Sequence, residues 1–124
     1  MARKSGEIID LAKLSVPDQE KISSKILLVE ESEYGPQAPF SGEKLSPVLT
    51  VYKAKDFADA QSIANGIMNF QGKGHSISIH TTNEDRPLQM GLEMPVCRVI
   101  VNQIHCYATG GNFNNGLPFS LSMG

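Results

Sequence analysis

The chain has 124 residues, 40% apolar and 19% charged, with a formal net charge of −2. That length allows one compact domain, and the composition is that of a globular chain rather than a disordered one. The near-neutral charge supplies no basic field for nucleic acid or an anionic membrane surface.

Other exclusions follow from residue types. Two cysteines, Cys97 and Cys106, are too few for the disulfide framework of a small secreted domain. With no Trp and three Tyr, stacking platforms for single strands are scarce. No apolar run approaches the roughly 20 residues that cross a bilayer. The opening "MARKSGEIIDLAKL" lacks the apolar core of a secretory signal. The expected compartment is the cytoplasm.

The elements are read in chain order. Ile8, Ile9, Leu11, Ala12 and Leu14 recur at near-helical spacing, which predicts a helix over 6–14, capped by Ser5 and ended before Pro17. "KILLVEE" (25–31) predicts a buried strand. Residues 32–46, with two Gly and two Pro, form a long loop, and "PVLTVYKA" (47–54) is the next strand. From Asp56, an N-cap candidate, a helix runs with Phe57, Ala60, Ile63, Ala64 and Ile67 on one stripe and ends at Gly72 and Gly74. "HSISIHT" (75–81) alternates as a strand with one exposed face. "NEDRPLQMGLEM" (83–94) is a second helix, with Asn83 as cap and Leu88 and Leu92 on one face. "CRVIVN" (97–102) is a strand, and regularity then fades into a Gly/Asn-rich apolar tail over 103–124. Alternating strands and helices predict an α/β fold with a mostly parallel sheet and flanking helices, in a single domain over 1–124.

Few residues advertise chemistry. His75 and His80 are five apart on one predicted strand and face opposite ways, and His105 has no partner at ligand spacing, so no metal site is expected. Cys97 opens a predicted buried strand, where a thiol behaves as a small hydrophobe. Cys106, beside His105, could be the nucleophile of a small thiol enzyme with His105 or His80 as base. "GKGHSI" is no dinucleotide fingerprint, because it follows a helix and opens a strand. In "PFSGEKLSPVLTVY" (39–52) a Pro/Gly-framed bend holds Glu43 just before a strand. The tail residues Leu117, Pro118, Phe119, Leu121 and Met123 are too apolar to be left in solvent.

Three stretches together, "GEKLSPVLTVYKAKDFADAQSIANG", "GKGHSISIHT" and "CRVIVNQ", resemble the C-terminal part of the catalytic domain of the aldehyde dehydrogenase superfamily. Glu43-Lys44-Leu45-Ser46-Pro47-Val48 stands where that superfamily has Glu-x-x-Gly-Pro-Val, with Ser46 in the Gly position. "PFSGEKLSPVL", "GKGHS" and "NNGLPFSLSMG" are similar to the CoA-acylating branch, which acts on acetaldehyde or sulfoacetaldehyde, the tail most to the sulfoacetaldehyde type. The resemblance spans residues 20–124.

The resemblance implies the following. A cysteine adds to the aldehyde, hydride passes to NAD or NADP, and coenzyme A captures the resulting thioester as acyl-CoA. Glu43 would accept from the nicotinamide ribose hydroxyls and Leu45 would pack near the nicotinamide ring. Asn112, Phe113, Asn114 and Phe119 would border the substrate entrance. The catalytic cysteine precedes the glutamate motif in this family, and neither Cys97 nor Cys106 occupies its place, so no catalytic residue is assigned to this chain. The cofactor-binding domain likewise lies outside it. The chain therefore reads as a fragment, inactive alone, of a homo-oligomeric enzyme. The competing expectation is a non-catalytic α/β interaction module that kept the fold.

Overall fold

The computed structural model describes residues 3–23, 25–116, 118 and 119, and leaves the side chains of 20–22 undescribed. The tail residues Leu117, Leu121 and Met123 lie outside the described residues. The chain forms two compact units, Met1–Gln71 and Gly72–Gly124. Each is built on one pair of parallel strands.

In the first unit the helix α1 (Ser5–Leu11) turns Ile9 inward, leaving it 2% exposed. Ser5 is the buried first residue of the helix and Lys4 holds the cap position. Ser5 is therefore part of the packing and not the expected cap. A second short helix, α2 (Asp18–Ser23), follows Pro17. The sequence reading passed over it, although proline ahead of an acidic first turn is a helix-start signal. Strand β1 (Leu27–Glu30) pairs in parallel with β2 (Val48–Val51), Leu27 opposite Val48 and Glu30 opposite Val51. A parallel pair needs a crossover, and residues 31–47 supply it as loop rather than as a helix. β1 alternates between half-buried and exposed residues, and β2 does the same after its buried first residue, Val48. Leu28 and Leu49, opposite each other, are 69% and 58% exposed, so β1 is not the fully buried strand expected.

The unit closes with α3 (Phe57–Phe70). Asp56 caps it as expected, its carboxylate accepting from the Asp59 amide at 2.9 Å. Phe57, Ile63, Ala64 and Ile67 are half-buried, whereas Ala60 is exposed. The residue this helix buries most is Gln61. Gly66 sits in the same helix under the ring of Tyr34, where a Cβ would come 2.1 Å from the ring. Gly72 (φ +112°) then takes a left-handed conformation that suits glycine.

The second unit is built on a single βαβ motif. Strand β3 (Ser76–Ile79) pairs in parallel with β4 (Arg98–Val101), with α4 (Asp85–Glu93) between them. All four β3 residues are half-buried, so the expected two-faced alternation is absent. Met90 on α4, Met94 and Ile100 on β4 form its buried apolar core. Leu88 and Leu92 do share one face of α4, and that face is exposed. Asn102 leaves β4 at φ +53°, a conformation asparagine tolerates. Its side-chain amide accepts from the Thr81 N–H at 2.8 Å and donates to the Thr81 carbonyl at 2.9 Å, tying the two strand ends together.

Glu84 stands directly before α4 but has a helical backbone and no side-chain cap bond. The capping bonds come from Asn83, one residue ahead, as inferred. Its Oδ1 accepts from the amides of Asp85 (3.0 Å) and Arg86 (3.2 Å). Losing such a cap costs about 1 kcal/mol. In Asn83→Ala the first-turn amides of α4 are therefore expected to exchange hydrogen about fivefold faster, at unchanged rates in β3. Unchanged protection at Asp85 and Arg86 would contradict the cap.

The tail departs from its expected irregularity. His105–Gly110 is a helix, α5, closed by Gly111 at φ +83°. Its start lacks a side-chain cap, and no apolar period marks it. What fixes it is long-range: the His105 ring bonds Ser76 Oγ through Nε2 (2.7 Å) and Ser78 Oγ through Nδ1 (2.9 Å), both on β3.

Candidate functional site

The bend ahead of β2 is tied from both sides. Gly35 turns left-handed (φ +111°), and its N–H donates to Ser41 Oγ at 2.9 Å while that hydroxyl donates to the Ala38 carbonyl at 2.7 Å. The 3-10 turn Pro39–Ser41 follows, with proline at its start, where the fixed φ fits and no N–H is missed. Ser41 is buried at the centre of these bonds. The Phe40 carbonyl accepts from Thr50 Oγ1 on β2 and from Lys44 Nζ (2.5 Å). Lys44 Nζ also donates to the Gly42 carbonyl at 2.7 Å. Partial desolvation lowers the Lys44 pKa below the ordinary lysine value. Lys44 thus braces the turn through these two carbonyls.

Glu43 is held by its backbone. Its N–H donates to Gln71 Oε1 at 2.7 Å, from the C-terminal end of α3. Its carboxylate is exposed, with no hydrogen bond or ion pair among the described residues. Leu45, two residues on, is 85% exposed and lies on the rim of a cleft of about 330 Å³. Pro39, Phe40, Lys44, Ser46 and Val48 also line this cleft. Arg3 and Ile8 complete the lining, so the cleft is apolar with two cations, and Glu43 stands next to it in sequence without lining it. Sequence reasoning singled out Glu43 and Leu45 and missed Gln71 and the bracing role of Lys44.

The other four candidates belong to the second unit. The Asn114 amide donates to Asn112 Oδ1 at 2.9 Å, a one-residue-skipping turn. Phe113 is 90% exposed, and its ring meets Phe119 edge-on, centroids 4.9 Å apart and planes at 73°. Asn115 anchors this segment by donating to the Tyr107 carbonyl at 3.0 Å.

For the thiol alternative, no hydrogen bond joins Cys106 to a histidine among the described residues. Both His105 nitrogens are engaged by serine hydroxyls on β3, and His80 is exposed beyond the end of that strand. Cys106 is exposed on α5, and Cys97 is exposed just before β4 rather than buried in it.

No family model matches the sequence. Individual proteins do. The chain is 62% identical over 99 residues, 80% of its length, to a sulfoacetaldehyde dehydrogenase (acylating) of Cupriavidus necator, of which the match covers 20%. It is 39% identical over all 124 residues to a sulfoacetaldehyde dehydrogenase (acylating) of Bilophila wadsworthia, covering 26% of that protein. In three dimensions it is similar to an acetylating aldehyde dehydrogenase of Geobacillus thermoglucosidasius, with a TM-score of 0.71 and 30% identity over 85% of this chain and 22% of that one. The chain thus spans about a fifth to a quarter of the length of these relatives.

Proposed function

Because this chain is homologous to one segment of the acylating aldehyde dehydrogenases, we propose that it forms part of the catalytic domain of such an enzyme. The reaction is aldehyde plus CoA plus NAD(P)+ to acyl-CoA, NAD(P)H and a proton. A relative at 62% identity named for sulfoacetaldehyde supports that aldehyde over acetaldehyde. The nicotinamide cofactor supplies the hydride acceptor. This chain's own contribution is to position that cofactor: Glu43 accepts from the ribose hydroxyls, and Leu45 packs beside the ring. Asn112, Phe113, Asn114 and Phe119 border the substrate entrance. The enzyme is cytoplasmic and homo-oligomeric in this reading.

The observation that carries the reading is the exposed carboxylate of Glu43, without a partner among the described residues, on a backbone held by Gln71 and two residues before the cleft-lining Leu45. The test is formation of reduced nicotinamide by the native protein containing this sequence, with CoA and either sulfoacetaldehyde or acetaldehyde. CoA-dependent turnover is expected, with kcat/KM higher for sulfoacetaldehyde. The 124 residues expressed by themselves should give none, since neither Cys97 nor Cys106 takes the nucleophile's place. No turnover by the native protein overturns the enzyme reading in favour of a non-catalytic module, and turnover by the 124 residues alone overturns the assignment of the nucleophile elsewhere.

A further inference from the structure

Gln71 and Gly42 form a contact whose geometry points to a purpose beyond local folding. Gln71 ends α3, its own N–H donating to the Ile67 carbonyl at 2.8 Å, so its Cα is fixed by the helix. From there its side chain reaches 28 residues back along the sequence to place Oε1 2.7 Å from the Glu43 amide nitrogen. Gly42 is what lets it arrive. The Gly42 backbone is extended (φ −80°, ψ 173°), a conformation open to any residue. Glycine is therefore not required there for its freedom of turn. A Cβ at Gly42, however, would lie 2.7 Å from Gln71 Oε1 and 3.5 Å from both the Gln71 amide carbon and the Phe70 ring. The missing Cβ keeps open the space the Gln71 amide occupies. On the other side, Lys44 Nζ holds the Phe40 and Gly42 carbonyls. The peptide that carries Glu43 is thus gripped at its N–H by one side chain and at the preceding carbonyl by another.

We infer that Gln71 is a positioning residue for cofactor binding: it orients the Glu43 backbone so that the carboxylate is aimed before the ligand arrives, and Gly42 is glycine to admit it. The inference rests on the cofactor reading of Glu43. Its physical content is preorganisation. A carboxylate on a fixed backbone loses less conformational freedom on binding than one on a mobile loop.

Gln71→Met keeps the length and removes the strong acceptor. Gly42→Ala keeps the glutamine and pushes its amide away, a displacement the flexible end of that side chain can make. Each is expected to weaken NAD(P)+ binding by the native protein about three- to tenfold, the range for one hydrogen bond. Affinity is read by calorimetry, with kcat at saturating cofactor and the thermal midpoint measured beside it. Both of these should hold steady, because the bond lies at the surface and touches no reacting atom. The decisive readout is coupling. Adding Gln71→Met to Glu43→Gln should cost far less than it costs alone, and Gly42→Ala should be neutral once Gln71 is Met. Full additivity with Glu43→Gln, or unchanged cofactor affinity in Gln71→Met, overturns the positioning role while the Glu43 reading survives. Unchanged affinity in Glu43→Gln itself overturns both. A fall in thermal midpoint that accounts for the whole loss of affinity reduces Gln71 to a structural contact and overturns the inference.

Discussion

Replacing Glu43 with glutamine is expected to raise the KM of the native protein for its nicotinamide cofactor about 10- to 100-fold. The magnitude follows from the bonds at stake. A hydrogen bond to a charged group contributes about 1.5–3 kcal/mol, and each 1.4 kcal/mol is tenfold. The carboxylate is exposed and makes no bond or ion pair among the described residues. Among the described residues the change removes no contact, so the effect is expected on the bound state. Glutamine keeps the shape, leaves one oxygen to accept and puts a donor where the second acceptor stood. The KM values for CoA and for aldehyde should stay within about twofold, because uniform loss at one ligand does not spread to the others. Glu43→Asp tests aim as well as charge. It keeps the carboxylate, withdraws it by one methylene, and should fall between the native protein and Glu43→Gln. A cofactor KM that stays put in Glu43→Gln removes Glu43 from the site. An equal rise in all three KM values instead indicates a collapsed loop, and the cofactor reading fails with it.

Much of the fold can be read in the sequence because its signals are local. Asp56 and Asn83 announce their helices by cap chemistry, and both caps form. Asn102 closes β4 at a position where asparagine's tolerance of positive φ is needed. The parallel pairing of β3 with β4 around α4 follows from the alternation of element types, whereas β1 and β2 pair in parallel across a loop. What escapes is decided at long range. Helix α5 is pinned by His105 to two serines almost thirty residues earlier, and "HCYATG" contains no pattern that says so. The same holds at the site. Glu43 stands out only through a motif, whereas Gln71 is an ordinary polar residue at a helix end until the fold brings it to the Glu43 amide. Gly42 misleads in the opposite direction. In sequence it reads as a turn glycine, yet its backbone is extended and what matters is the room above it.

The 124 residues expressed by themselves are expected to unfold without a cooperative transition in urea and to bind a hydrophobic dye in water. Each unit buries few apolar side chains: Ile9, Ala38 and Val48 in the first, Met90, Met94 and Ile100 in the second. No large side chain among the described residues is completely buried. Cores of units below about 70–80 residues rarely supply more than 3–5 kcal/mol even when well packed. Against this, Ile26, Leu28 and Leu49 around β1 and β2, and Leu88 and Leu92 on α4, stay exposed. Full burial of one such side chain is worth about 1.5–3 kcal/mol. The stabilisation left unused on these faces is thus comparable to everything a small core provides. Exposed apolar side chains grouped within a unit also favour self-association. Leu28 and Leu49 are the sharpest probe because they are exposed and directly opposite in register. In the isolated chain, Leu28→Ser with Leu49→Ser should lower dye binding and raise solubility, with little change in secondary structure by circular dichroism. A single sharp urea transition, with the slope expected for a cooperative 124-residue domain and no dye binding, would show that the six apolar residues buried among those described suffice and that the exposed leucines are ordinary surface.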